Sequence, residues 1–276
     1  MRSLAALALG CLALAAATAH GFGAAPALEV EFSKRTLKRN THASATARCD
    51  RGTEVVSNGF AAPDRVYAGG GPYTYILGAA RKGGREFVVR AENFSSTRGQ
   101  FYAYAYCADL GSITVADASR RLESRRDGVV TARCPGGRTA ISGGWAGRSI
   151  DGGRPQMVPF LSKRAGANGW KVGAENGAFK GAAKLIAYAY CADLPAVPQA
   201  TVHDVRMPQL SMPSAGSSCR GGREAIAGGF DAATPRGFSV GASVFTSRRK
   251  KGGVRWKVEV INGGHTRHLR VYAYCL

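Results

Sequence analysis

Six cysteines carry the most legible chemistry in this sequence: Cys49, Cys107, Cys134, Cys191, Cys219 and Cys275. An even set of thiols at regular spacing reads as disulfides in an exported chain. The first members of successive pairs (Cys49, Cys134, Cys219) are 85 residues apart and the second members (Cys107, Cys191, Cys275) are 84 apart. Spacing of that regularity marks an internal repeat. Pairing within each copy closes loops of 58, 57 and 56 residues and ties an early strand to the last. A rival scheme keeps the same symmetry: Cys107–Cys134 and Cys191–Cys219 join neighbours, and Cys49–Cys275 closes a ring.

Other reactive side chains form no comparable pattern. The histidines (His20, His42, His203, His265, His268) never recur in phase with the repeat. His265 and His268 have a metal-like spacing on a helix, but on a strand they point to opposite sides. His203 beside Asp204 is the one local hint of a triad, and strand neighbours do not face one another. Acids recur at Asp109 and Asp193, and at Glu92 and Glu175, where the third copy has Ile261. Two acids across a cleft would serve glycoside hydrolysis. Turn capping is the simpler use of such residues, and Asn93, Asn176 and Asn262 read as structural. Asn93-Phe94-Ser95 also spells a glycosylation acceptor. The reading assigns no catalytic residue, no metal and no cofactor.

Charge is the feature that points outward. Lys and Arg number 38 against 18 Asp and Glu, a net charge of +20. The basic residues follow the repeat: Arg81, Lys82 and Arg85; Lys163 and Arg164; Arg248, Arg249, Lys250 and Lys251. They fall in corresponding loops, and a field of that sign attracts polyanions. The expected partner is an anionic polymer: a wall polymer, acidic polysaccharide, lipid headgroups or extracellular DNA. Three weak patches on one chain would add through effective concentration. Two alternatives stay open. Tyr104/Tyr106, Tyr188/Tyr190 and Tyr272/Tyr274 could stack sugar rings in a lectin-like module. A secreted hydrolase is the other.

The elements that must position these residues read as strands. Phe101 to Cys107 alternates, with tyrosines on one side and Phe, Ala and Cys on the other, and the spans ending at Cys191 and Cys275 repeat it. Gly-rich breaks such as Gly69-Gly70-Gly71-Pro72, Gly152-Gly153 and Gly252-Gly253 mark turns. With 37 glycines and no helical period, the chain is expected to be all-β, with five or six strands per copy. A 45% hydrophobic, 20% charged composition excludes disorder. The lack of a long apolar run after the first twenty residues argues against a spanning helix. The expected organisation is a signal peptide over 1–19, a short leader over 20–28, and β repeats over 29–110, 111–196 and 197–276. Cys11 would leave with the signal peptide, and the protein would be secreted or periplasmic. Each repeat is expected to be a small disulfide-pinned antiparallel sandwich abutting the next; one pseudo-threefold β-prism is the alternative. Glycines before Phe60, Trp145 and Phe230 suggest a bulge or a close backbone approach.

The pattern Cys134-Pro-Gly-Gly, Gly143-Gly144-Trp145, Trp170-Lys-Val, Asn176 and Ala187-Tyr-Ala-Tyr-Cys191 resembles a Cys-pair β repeat of exported bacterial proteins without an assigned activity. The resemblance covers nearly the whole chain after the leader and implies export and this fold. It brings no catalytic residues. The first and third copies depart from it at the Pro, with Asp50 and Arg220.

Overall fold

The computed structural model describes residues 28–63, 74–95, 97–152, 156–178, 180–232 and 242–276. The expected signal peptide, Cys11, His20 and the turn at Gly69-Gly70-Gly71-Pro72 lie outside them. Among the described residues there are eighteen strands, six per copy, and no helix. The first copy contains β1 (Glu29–Leu37), β2 (Thr41–Arg48), β3 (Glu54–Ala61), β4 (Thr74–Lys82), β5 (Glu86–Asn93) and β6 (Gly99–Ala108). The second contains β7 (Thr114–Leu122), β8 (Asp127–Arg133), β9 (Thr139–Ser149), β10 (Met157–Ala165), β11 (Gly169–Asn176) and β12 (Ala183–Ala192). The third contains β13 (Gln199–Met207), β14 (Ser214–Ser218), β15 (Ala225–Asp231), β16 (Ala242–Arg249), β17 (Arg255–Asn262) and β18 (Arg267–Cys275).

Each copy folds into two three-stranded antiparallel halves, ordered first-sixth-third and second-fifth-fourth. The disulfides lie within copies: Cys49–Cys107, Cys134–Cys191 and Cys219–Cys275. Each ties the end of the second strand to the sixth, so one covalent link clamps the two halves of a small sandwich. Closing a loop of this length stabilises by about 4 kcal/mol in the chain-entropy model. Phe101, Ala103, Ala105 and Cys107 are wholly buried, as alternation required, and the same pattern recurs in β12 and β18.

The copies do more than abut. β3 pairs with β16, β9 with β4 and β15 with β10. The result is three six-stranded sheets, each built from two copies: β1-β6-β3-β16-β17-β14, β2-β5-β4-β9-β12-β7 and β13-β18-β15-β10-β11-β8. The pairings are cyclic, so a pseudo-threefold axis relates the copies, and the pinned sandwich and the threefold closure coexist. The physical reason lies in the edges. A three-stranded half would leave the edge strand nearest the axis with unpaired N–H and C=O groups, and the neighbouring copy pairs with it over two residues at each seam.

Two in-phase residues build each of these seams. Gly59, Gly144 and Gly229 lie directly under the neighbour's backbone. A Cβ there would come within 3.1 Å of the Cα of Arg248, Ala80 and Lys163 respectively, and closer still to other atoms. The expected close approach is therefore made against another copy. The tyrosine preceding each last cysteine crosses the same seam: the backbone N–H groups of Arg249, Arg81 and Arg164 donate to the hydroxyls of Tyr106 (2.7 Å), Tyr190 (2.6 Å) and Tyr274 (2.8 Å). The expected bulge is present as well, and it falls on the in-phase aliphatics. The register skips Val56, Ile141 and Ile226 opposite the cysteine-bearing strands.

The core shows how the copies compensate for their differences. Trp170 and Trp256 donate from Nε1 to Ser162 and Ser247, each at 3.0 Å. In the first copy the ring is Phe87, which needs no acceptor, and the serine position is Ala79. Gly143 and Gly228 leave room for the two indoles, whose ring atoms a Cβ would overlap. Opposite the smaller Phe87 stands Asn58, whose amide donates to the Gly143 carbonyl at 2.8 Å.

Candidate functional site

The basic residues that sequence placed in loop tips divide into two groups. Arg81 and Arg249 end the fourth strands of their copies, nearly buried, and pair at 2.7 Å with Glu54 and Glu224. Lys163 bonds Asp231 at 2.7 Å and the Tyr272 hydroxyl at 3.2 Å. Burial works against its charge, but those two partners outweigh it and raise its pKa. Arg164 lies over the Tyr274 ring, 4.6 Å from its centroid, and burial lowers its pKa. Arg248 covers Tyr104 at 5.4 Å, and Arg85 donates to the Cys49 carbonyl at 3.1 Å. These six serve the seams and the disulfide corner. Lys82, Lys250 and Lys251 are exposed.

The tyrosine face is split rather than uniform. Tyr106, Tyr190 and Tyr274 are buried, and burial raises their pKa values above the ordinary phenol range despite the N–H bond each accepts. Tyr104, Tyr188 and Tyr272 are half-buried on the outer faces. Phe32, Tyr104 and Tyr102 form a ladder with centroid spacings of 6.2 and 6.1 Å, and Phe32 is 64% exposed.

Asn93 is fully buried, and its amide donates to the carbonyls of Leu37, Lys38 and Thr97. Its use as a glycosylation acceptor is thereby corrected: the nitrogen is committed to closing a turn. Asn176 and Asn262 make equivalent bonds. Asp109 accepts from the Gly111 N–H at 3.0 Å, the expected cap. Burial, then the Asp127 charge, raises the pKa of half-buried Glu175. His203 does not meet its neighbour Asp204. His268, on the adjoining strand, does so at 2.6 Å, and Arg270 at 3.0 Å. Cross-strand register sets that contact, and sequence adjacency gave no sign of it. No serine or cysteine hydrogen-bonds His268 among the described residues. No group of three His, Cys, Asp or Glu among them could hold a metal.

An open cleft of about 390 Å³ lies on the outer face where β4 meets β9. Its floor is formed by Thr46, Val88 and Ala80, with Tyr188 across the seam, and is flanked by the row Ser44–Arg90–Gly78–Ala146. Small residues at Gly78, Ala80 and Ala146 make it concave. Arg90 and Arg148 are exposed and have no carboxylate partner among the described residues, and Lys82 is 3.8 Å from Glu86. Among the described residues no acid lines the cleft. Sequence reasoning missed Arg90 and Arg148 because neither recurs in phase.

No protein-family model matches this sequence, and no curated protein matches it. The three disulfides fit an oxidising compartment. Among the described residues no helix is long and apolar enough to cross a membrane.

Proposed function

We propose that this chain is an exported, non-enzymatic adhesion protein that holds an anionic surface polymer through its basic side chains. One observation carries the reading: cations outnumber carboxylates by 20, so acids cannot neutralise the surface however they pair. Burial of Arg81 and Arg249 removes two matched pairs and leaves that excess in place. Lys82, Lys250 and Lys251 lie at the fourth-to-fifth strand turns of the first and third copies, which the pseudo-threefold axis puts at one level. Three disulfides suit a surface or secreted protein. The test is retention on immobilised heparin, DNA and cell-wall polymer over a salt series. Retention is expected at low salt and lost as counterions compete. No retention at low salt, or retention indifferent to salt, overturns the proposal.

A second reading, a module binding neutral glycans, is favoured by the ladder of Phe32, Tyr104 and Tyr102, of which Phe32 is exposed. It predicts binding that survives high salt and is lost in Tyr104→Ala.

A further inference from the structure

The three seams are equivalent in backbone but differ in what lies over the outer tyrosine. In one, Lys163 reaches from the fourth strand of its copy over Tyr272 of the next, 5.1 Å from the ring centroid. In another, Arg248 covers Tyr104 in the same way at 5.4 Å. The residue in that position at the remaining seam is Ala80, opposite Gly144 as Lys163 is opposite Gly229 and Arg248 opposite Gly59. No side chain there is long enough to reach Tyr188, and the open cleft is the space left behind. A second difference adds charge at the same place: Arg90 stands where the other copies have Gly173 and Glu259.

We infer that this cleft binds one residue of an acidic polysaccharide, a pyranose bearing a carboxylate or sulfate. The Tyr188 ring offers an apolar plane for a sugar face. The Ser44 and Thr46 hydroxyls can exchange hydrogen bonds with ring hydroxyls, and Arg90 and Arg148 can bind the acid group by charge-assisted bonds. The volume suits a small-ligand site. A lone aromatic plane with flanking hydroxyls fits a saccharide better than a nucleic acid strand, which needs successive stacking platforms. The inference rests on the anionic-polymer reading and gives it a specific site.

Ala80→Arg separates the two ideas. It restores the cation found at the other seams and adds one positive charge. Generic attraction predicts retention on a polyanion column unchanged or stronger; the cleft predicts loss of small-ligand binding. The probes are an oligogalacturonate tetrasaccharide, its neutral galactose counterpart and a short single-stranded DNA, measured by titration calorimetry with the full chain. The acidic tetrasaccharide should bind in preference to the other two. Ala80→Arg should weaken it at least about tenfold. Arg148→Gln, a substitution at an exposed residue, should weaken it by about tenfold, the worth of one charge-assisted hydrogen bond. Undiminished binding by Ala80→Arg, or equal binding of the neutral sugar or the DNA, overturns the cleft while column retention still supports the wider reading. Loss of column retention by the unmodified protein overturns both.

Discussion

A methyl group on Gly144 tests the claim that the copies are joined by backbone contact. In Gly144→Ala the new carbon would lie inside contact distance of the Ala79 carbonyl oxygen, 2.6 Å from the Tyr190 hydroxyl and 3.1 Å from the Ala80 Cα. Two of the three obstacles are main-chain atoms of another copy, so no rotamer change relieves them and the seam must open. Overpacking of this kind costs about 1–3 kcal/mol. Pushing Tyr190 away from the Arg81 N–H adds about 0.5–1.5 kcal/mol. A total of about 2–4 kcal/mol lowers the melting temperature by roughly 5–15 °C for a chain of this size. The control is Gly177→Ala, where the nearest atom is 3.4 Å away and the backbone suits any residue; it should leave the melting temperature unchanged or slightly higher. Hydrogen exchange should show the Arg81 amide losing protection in Gly144→Ala before the disulfide-clamped strands do. Melting within about 2 °C of the Gly177→Ala control would refute the reasoning.

Alkali should attack the same seams. Tyr106, Tyr190 and Tyr274 hold their protons more tightly folded than unfolded, so their contribution is whole below the unfolded phenol value of 10.0 and lost as pH rises above it. Three of the ten tyrosines should stay silent in ultraviolet titration until the fold opens; ionisation of all ten in a chain with native circular dichroism would contradict this. In the core, Ser162→Ala strands the Trp170 N–H and should cost about 1–3 kcal/mol. Adding Trp170→Phe recreates the Phe87/Ala79 arrangement, so urea melts of the double variant should show coupling of about 0.5–2 kcal/mol in favour of the pair. Strict additivity would mean that the serine is not there for the indole.

Much of the fold was legible because the chain aligns with itself. Cysteine phase marked the three copies but fitted the neighbour-linking ring as well as the within-copy bonds, and the alternation from Phe101 to Cys107 fixed which side of β6 is buried. The seams were not legible. Gly59 announced that something approaches closely, but an approaching backbone has no sequence signature, and the partner strand β16 lies in the third copy. The charge pattern showed phase but not environment: Arg81, Arg164 and Arg249 recur in sequence, and nothing in the sequence told them from exposed Lys82, Lys250 and Lys251. At each of the three arginines the backbone N–H holds a seam tyrosine, while the side chains of Arg81 and Arg249 pair with Glu54 and Glu224 of their own copies and Arg164 lies over Tyr274. Candidates for function are better sought among positions that break the repeat, as Ala80, Arg90 and Arg148 do.

Ring closure explains why those departures could arise where they did. Each copy has an inner third strand and an inner fourth strand, and each needs a neighbour's edge. A chain of two copies would leave one of each unpaired, and such edges invite association. Three copies close the circuit, with β16 of the last pairing β3 of the first. The main-chain seam is held in all three places by a glycine, a tyrosine hydroxyl and an N–H, whereas the side chain on the outer face above it is not common to them. Position 80 and its counterparts differ: a lysine paired with Asp231 at one seam, an arginine over Tyr104 at another, and an alanine that leaves Tyr188 open at the third. A closed threefold frame of this kind keeps its stability in the repeated residues and leaves one seam available for a ligand.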